Sequence, residues 1–180
     1  MEPKVITPIR HKDKRGFFSE SWNKKNLLAE GIDIDFVQDN HSLSNKTGTL
    51  RGLHFQYPPY TQAKLVRCGQ GSLFDIAVDI RKGSPTFGRW VGEELSFENG
   101  KQLFIPQGFL HGFITLEPYS EIIYKCSNYY APDYEGYIRY DDPDIAIDWP
   151  INPDMDQIDT KDKNAPFLRK IQNPFFYEKI

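Results

Sequence analysis

Short apolar stretches broken by turn residues recur along the chain. Their spacing predicts strands over Asp35–Ser42, Leu50–Gln56, Ala63–Cys68, Leu73–Ile80, Trp90–Phe97, Lys101–Ile105, Gly112–Leu116 and Ile122–Asn128. Between them lie Pro58-Pro59, Gly69-Gln70-Gly71, Gly83-Ser84-Pro85, Glu98-Asn99-Gly100 and Pro106-Gln107-Gly108. Glycine supplies positive φ and proline pre-sets φ, so these are turns with a mechanism. Along Leu73–Ile80, Phe74, Ile76, Val78 and Ile80 alternate with Asp75, Ala77 and Asp79, which predicts a half-buried strand with carboxylates on one face. Only Trp22–Glu30 reads as a helix, with Gly31 as its stop, and there is room for a second short helix near the C-terminus. Past about Asp142 the chain grows rich in Pro, Asp and Asn, and this segment is expected to wrap a β core instead of extending it. The pattern predicts an all-β sandwich or jelly-roll barrel, with residues 1–180 as one domain.

Composition supports a folded core and narrows the partners. The chain carries 13 Phe, 10 Tyr and 3 Trp, and each such ring buries roughly 150–250 Å². With 22 basic and 25 acidic residues the formal net charge is -3, so no broad basic field favours nucleic acid. Two cysteines, Cys68 and Cys126, are too few for a disulfide framework, and no CxxC suggests structural zinc. No apolar run approaches the ~20 residues of a membrane span, and the first residues, MEPKVITPIRHKDKRG, lack the apolar stretch of a signal peptide. A cytoplasmic protein without a membrane partner is expected.

Candidate chemistry starts at Arg51-Gly-Leu-His54-Phe-Gln56, Tyr57-Pro-Pro-Tyr60 and Lys64. A hairpin centred on Pro59 would pair 57 with 61 and 54 with 64, bringing His54 and Lys64 together across two strands. A base beside an ammonium suits proton removal next to a carbonyl, because the cation stabilises the enolate oxygen. The plainer reading of the same residues is an incidental histidine opposite a solvated lysine. Pro106-x-Gly-x-x-His111 matches half of a metal site found in small β-barrels, but Gln56 stands where the other half needs histidine, and two lone histidines fall short of three ligands. Tyr124 shares parity with Ile122 and Cys126 and can point inward as a proton donor, in a region that also holds Tyr129, Tyr130, Tyr134, Tyr137 and Tyr140. Tyr130 near the barrel mouth can stack on a base. Arg15, Arg51, Arg67, Arg81 and Lys161 are scattered phosphate grips, and no P-loop or GxGxxG indicates ATP or a dinucleotide. Strict alternation sets Arg51 and His54 on opposite faces; either a bulge at Gly52 reconciles them or Arg51 acts from the rim.

Taken in order, several segments resemble the dTDP-4-dehydrorhamnose 3,5-epimerase (RmlC) family. They are Arg15-Gly-Phe-Phe-Ser-Glu20, Phe36-Val-Gln-Asp-Asn-His-Ser42, Leu50-Arg-Gly-Leu-His-Phe-Gln56, Ala63-Lys-Leu-Val-Arg-Cys68 and Phe74-Asp-Ile-Ala-Val-Asp-Ile-Arg81. Ser84-Pro-Thr-Phe-Gly88, Ile105-Pro-x-Gly-Phe-x-His-Gly-Phe113, Tyr124-Lys-x-x-Asn-Tyr-Tyr130 and Ile147-Asp-Trp-Pro150 continue the series to about residue 168. The resemblance implies a cupin-type jelly roll (a double-stranded β-helix) with a few short helices. It also implies a homodimer, no metal and no organic cofactor, and a dTDP-linked 4-keto-6-deoxy sugar as substrate. It makes His54 the base, oriented by Asp162, Tyr124 the acid on the opposite face of the sugar, and Lys64 the group that stabilises the enolate oxygen at C4. Arg15, Phe18, Glu20, Gln38, Asn40, Arg51, His111, Glu135 and Lys161 fall at substrate-binding positions, and Tyr130 at the ring stacked on thymine. Arg15, Phe18 and Glu20 belong to an N-terminal strand region that in such dimers serves the partner subunit's site.

The implied reaction follows from elementary chemistry. A 4-keto group acidifies the hydrogens at C3 and C5, and inversion needs a base on one face with a proton donor on the other. A single-centre epimerase would use the same pair. A metal-dependent cupin enzyme and a non-catalytic sugar-nucleotide binding module are the readings from other classes; Gln56 argues against the first, and the set of His54, Lys64, Tyr124 and Asp162 against the second.

Overall fold

Alternating side-chain direction along short strands builds two five-stranded antiparallel sheets in the computed structural model, which describes residues 1–178. The first sheet runs β1 (Lys4–Ile6), β9 (Gln102–Ile105), β6 (Lys64–Gln70), β11 (Ser120–Cys126), β4 (Gln38–Ser44). The second runs β12 (Glu135–Tyr137), β5 (Leu50–Gln56), β10 (Phe109–Thr115), β7 (Ser72–Asp79), β8 (Trp90–Ser96). From β4 to β7 each strand switches sheet relative to the one before it, the connectivity of a jelly roll. A separate hairpin, β2 (His11–Asp13) with β3 (Gly16–Phe18), pairs only with itself. Val66, Cys68, Leu103, Ile105 and Ile122 of the first sheet meet Leu73, Ala77, Phe109 and Phe113 of the second in the space between them. The expected all-β jelly-roll barrel is the fold observed.

The helix signal in 22–30 resolves into α1 (Lys24–Ala29). Asn23 caps it by accepting from the Lys25 and Asn26 N–H groups, and Leu27 is its buried anchor. α2 (Thr160–Lys163) is capped by Asp159. β1 and β12, three residues each, carry too little apolar pattern to be read locally. No helix among the described residues is long and apolar enough to cross a membrane.

Two expectations are corrected. β5 and β6 do not form a hairpin, because they lie in different sheets: His54 is paired with His111 of β10 and Tyr137 of β12, and Lys64 with Ile105 and Cys126. Nor is β7 half-buried, since both of its faces are covered. Its more apolar face, Ile76, Val78 and Ile80, packs outward under Ile138, Ile145 and Leu168 from the C-terminal third. The face bearing Leu73 and Ala77 turns inward, which directs Asp75 into the barrel. Asp142 clamps the outer wrap: its Oδ2 accepts the Leu168 N–H at 2.6 Å and its Oδ1 accepts the Asp144 N–H at 2.8 Å.

Candidate active site

The site begins with a bulge. In the β5–β10 ladder His111 faces His54 and Phe113 faces Arg51, so Gly52 and Leu53 together oppose the single residue Gly112. The extra residue restores Arg51 and His54 to one face, which resolves the parity conflict in favour of a bulge. Gly52 sits at φ +134, and a Cβ there would lie 2.6 Å from the Gly112 Cα, so only glycine fits. The bulge also releases the Gly52 N–H, which donates to Asp162 Oδ2 at 3.1 Å. Asp162 Oδ1 lies 2.7 Å from His54 Nε2. Asp162 is 1% exposed and is delivered by α2; two residues before that helix, Ile158 makes an isolated parallel bridge to Leu50. With Nε2 committed to Asp162, Nδ1 is the ring nitrogen with no protein partner among the described residues. The edge of Tyr137, directly opposed in the β5–β12 register, packs on the imidazole with ring centroids 5.2 Å apart.

The facing sheet supplies the other groups. Tyr124 on β11 stands opposite Asn40 of β4 and Val66 of β6. Burial pushes its phenol above the ordinary range, which keeps it protonated as a donor must be. Lys64 Nζ lies 5.7 Å from the centre of the Tyr124 ring and 3.4 Å from His111 Nδ1, and burial pulls its pKa down. His111 Nε2 is 2.7 Å from Asp75 Oδ1, and burial, ahead of the Lys64 charge, holds the pKa of this imidazole down. His54, Lys64, Gln38, Asn40, Tyr124, Tyr130 and Glu135 line one hollow between the sheets. A larger cleft beside α1, lined by His11, Glu20, Trp22 and Asn26, holds no comparable convergence of proton-handling groups.

Around the rim, Gln38 Nε2 donates to Asn40 Oδ1 at 2.9 Å, and Gln38 Oε1 accepts the Tyr130 N–H at 2.8 Å. Glu135 accepts from the hydroxyls of Tyr130 and Tyr137, and Lys161 Nζ is 3.9 Å from the same carboxylate. Gln56 ties two loops together: its amide donates to the Tyr60 and Tyr129 carbonyls and its Oε1 accepts the Ala131 N–H. The side chain that interrupts the metal motif therefore holds the segment bearing Tyr130. His54 and His111 each bond a carboxylate, and no group of three or more His, Cys, Asp or Glu is arranged for a metal ion among the described residues.

Some candidates stand elsewhere. Arg15 pairs with Asp13 on the exposed hairpin, Phe18 is 67% exposed, and Glu20 accepts from Asn23 and Asn26; none of the three lines the His54 hollow. Arg81 is not a phosphate grip but is committed to Asp79 and Glu2. Despite burial, Asp79 titrates at about 2 because Arg81, Ser84 and Thr86 donate to it. Arg67 lies on the outer face of the first sheet, beside Trp22 and Lys125. Two neighbours of the site have no part in it by sequence: Asp75, on the carboxylate face of a strand expected to be half-buried, and Tyr137, one ring of a tyrosine-dense region. A strand with carboxylates on one parity was the available signal for the first.

A jelly roll whose opposed sheets present a carboxylate-held imidazole and a buried phenol defines an acid–base enzyme of the cupin-type barrel class. Comparison with known proteins makes the class specific. Residues 2–170 match the family model described as dTDP-4-dehydrorhamnose 3,5-epimerase. A Salmonella typhimurium protein of that name is 52% identical over 169 residues, covering 93% of this chain and 88% of the relative. The crystal structure of Legionella pneumophila dTDP-6-deoxy-D-glucose-3,5-epimerase RmlC, in complex with dTDP-4-keto-L-rhamnose, superposes with a TM-score of 0.92 at 46% identity, covering 98% and 94% of the two chains. ChmJ, a 3'-monoepimerase from Streptomyces bikiniensis solved with dTDP-quinovose, has a TM-score of 0.84 at 35% identity, covering 93% and 84%. The chain belongs to the dTDP-4-dehydrorhamnose 3,5-epimerase family.

Proposed function

We propose that this protein inverts C3 and C5 of dTDP-4-dehydro-6-deoxy-glucose, giving dTDP-4-dehydro-L-rhamnose for deoxysugar synthesis. The observation that carries the reading is the division of proton-handling groups between facing sheets, with His54–Asp162 on one side of the hollow and Tyr124 on the other. His54 takes the proton from C3 or C5 through its unpartnered nitrogen, and the C–H electron pair becomes the enolate delocalised onto the C4 oxygen. Lys64 donates a hydrogen bond to that oxygen. Tyr124 then delivers a proton to the opposite face of the same carbon, inverting it, and solvent returns both groups to their starting states. Gln38, Asn40, Arg51, His111, Glu135 and Lys161 hold the nucleotide sugar, and Tyr130 stacks on thymine.

The hairpin of Arg15 and Phe18, with Glu20 beyond it, is read as serving the site of a second copy, which makes the working form a homodimer. Its exposed Phe17 and Phe18 suit burial in such a contact. Free Cys68 and Cys126, both buried, suit the reducing cytoplasm. Incubation with dTDP-4-keto-6-deoxyglucose in deuterated water tests the chemistry. Deuterium at both C3 and C5 is expected. Label at one carbon alone would make the protein a single-centre epimerase, as ChmJ is named, and no label would refute the epimerase reading.

A further inference from the structure

Asp75 is 0% exposed, yet it reaches the barrel interior from the strand position that sequence alone assigns to solvent. One of its oxygens bonds His111, and the other, Oδ2, has no hydrogen-bond partner among the described residues. Burying an ionised carboxylate so sparsely bonded is costly unless a nearby cation gains from its charge. The cation is two steps away. Lys64 from the facing sheet points its ammonium at His111 Nδ1, 3.4 Å distant.

With Lys64 as the ammonium, hydrogen-bond direction fixes the state of the histidine between them. A lysine ammonium has donors and no acceptor, so His111 Nδ1 must accept, and its single ring proton lies on Nε2 and is donated to Asp75. A doubly protonated His111 would set an N–H against the ammonium. The other groups facing Lys64 are Cys126 and Tyr124 from β11 and Glu135 from β12. Burial raises the pKa of both the thiol and the phenol, so neither carries charge. Glu135 is already shared among Tyr130, Tyr137 and Lys161. Asp75, with one oxygen unshared, is therefore the carboxylate least committed elsewhere and the main one left to balance Lys64, with Glu135 adding to it.

We infer that Asp75 is a positioning residue: through a neutral His111 it holds Lys64 cationic and aimed at the developing enolate oxygen. This rests on the epimerase reading for what Lys64 does, but the protonation pattern itself is independent of it. It also gives His111 a part of its own: both of its ring nitrogens are occupied by the relay, so its contact with the sugar is through the carbon edge of the ring. No proton leaves the relay during turnover; it supplies fixed charge and direction.

Asp75→Asn keeps an acceptor for the His111 N–H and removes the charge. Deuterium incorporation by the variant, followed against pH, should show the alkaline limb of kcat moving to lower pH by about one unit or more, because Lys64 loses the charge that opposed its deprotonation. KM should change less than about threefold, since affinity comes from nucleotide contacts. A folded variant whose alkaline limb coincides with that of the parent overturns the inference, however slow it is. Should the variant not fold, two-bond ¹H–¹⁵N correlation of the unmodified protein reads the His111 tautomer directly. Nε2–H with an unprotonated Nδ1 through neutral pH is expected, and Nδ1–H or an imidazolium refutes the relay. That spectrum stands even if the protein exchanges no substrate hydrogen, so loss of the epimerase reading and loss of the relay are distinguishable.

Discussion

Asp162→Asn isolates what the carboxylate does for His54. Asp162 has two bonds to satisfy, the His54 Nε2 at 2.7 Å and the Gly52 N–H at 3.1 Å. An asparagine can serve only one of them correctly. If its carbonyl accepts from Gly52, its NH₂ faces Nε2, and the histidine proton is driven to Nδ1, the nitrogen that must be free to act as base. If the amide turns over, its NH₂ confronts the Gly52 N–H. Leaving a buried donor unpaired costs about 1–3 kcal/mol, and losing the charge-assisted bond to the imidazolium about 1.5–3 kcal/mol. Together these come to about 2.5–6 kcal/mol, and to the extent that they fall on the transition state kcat drops by roughly 10²–10⁴ at about 1.4 kcal/mol per decade. The larger figure is the scale seen when a triad histidine is trapped in its wrong tautomer. The fold should be spared most of this, because one of the two bonds survives. The assay is the rate of deuterium entry into a dTDP-4-keto-6-deoxy sugar by mass spectrometry, with thermal unfolding run in parallel. A variant within tenfold of the parent kcat at an unchanged melting temperature would show that Asp162 does not orient the base.

His54→Ala should abolish exchange at C3 and C5 while dTDP binding, measured calorimetrically, stays within a few-fold; appreciable turnover would place the base elsewhere. Tyr124→Phe keeps the ring's volume and removes the far-side donor, so exchange should persist at one or both carbons while inverted product disappears. Wild-type inversion in that variant, read by NMR of the product, would end the two-face assignment. Gly52→Ala forces a Cβ to 2.6 Å from the Gly112 backbone at φ +134; overpacking and left-handed strain predict a loss of about 2–5 kcal/mol in urea unfolding. Unchanged stability would mean the two strands are not so closely apposed.

How much of this was readable in advance varies residue by residue. The strand Leu50–Gln56 has the same bounds by pattern and by structure, because its ends are marked by turn chemistry that acts locally. The convergence of His54 and Lys64 was anticipated from a hairpin that does not form. They meet instead because β5 and β6 enter opposite sheets whose inner faces share one hollow. The fate of Gln56 was half legible: its departure from a metal motif can be seen in the chain, while its bonds to three separate loop residues cannot.

Periodicity, turn residues and the ordered motifs were enough to establish strands, a jelly roll and the family, and to nominate candidate site residues, since these depend on spacing along the chain. Which face of each strand looks inward was decided by tertiary structure alone. Along β7 the apolar parity is the one expected to face the core, yet the C-terminal segment covers it from outside and the parity of Asp75 turns into the barrel. Burial depends on what arrives from distant sequence, here residues 138, 145 and 168. That is why Asp75 reads as a surface acid in the chain and stands beside His111 at the centre of the fold.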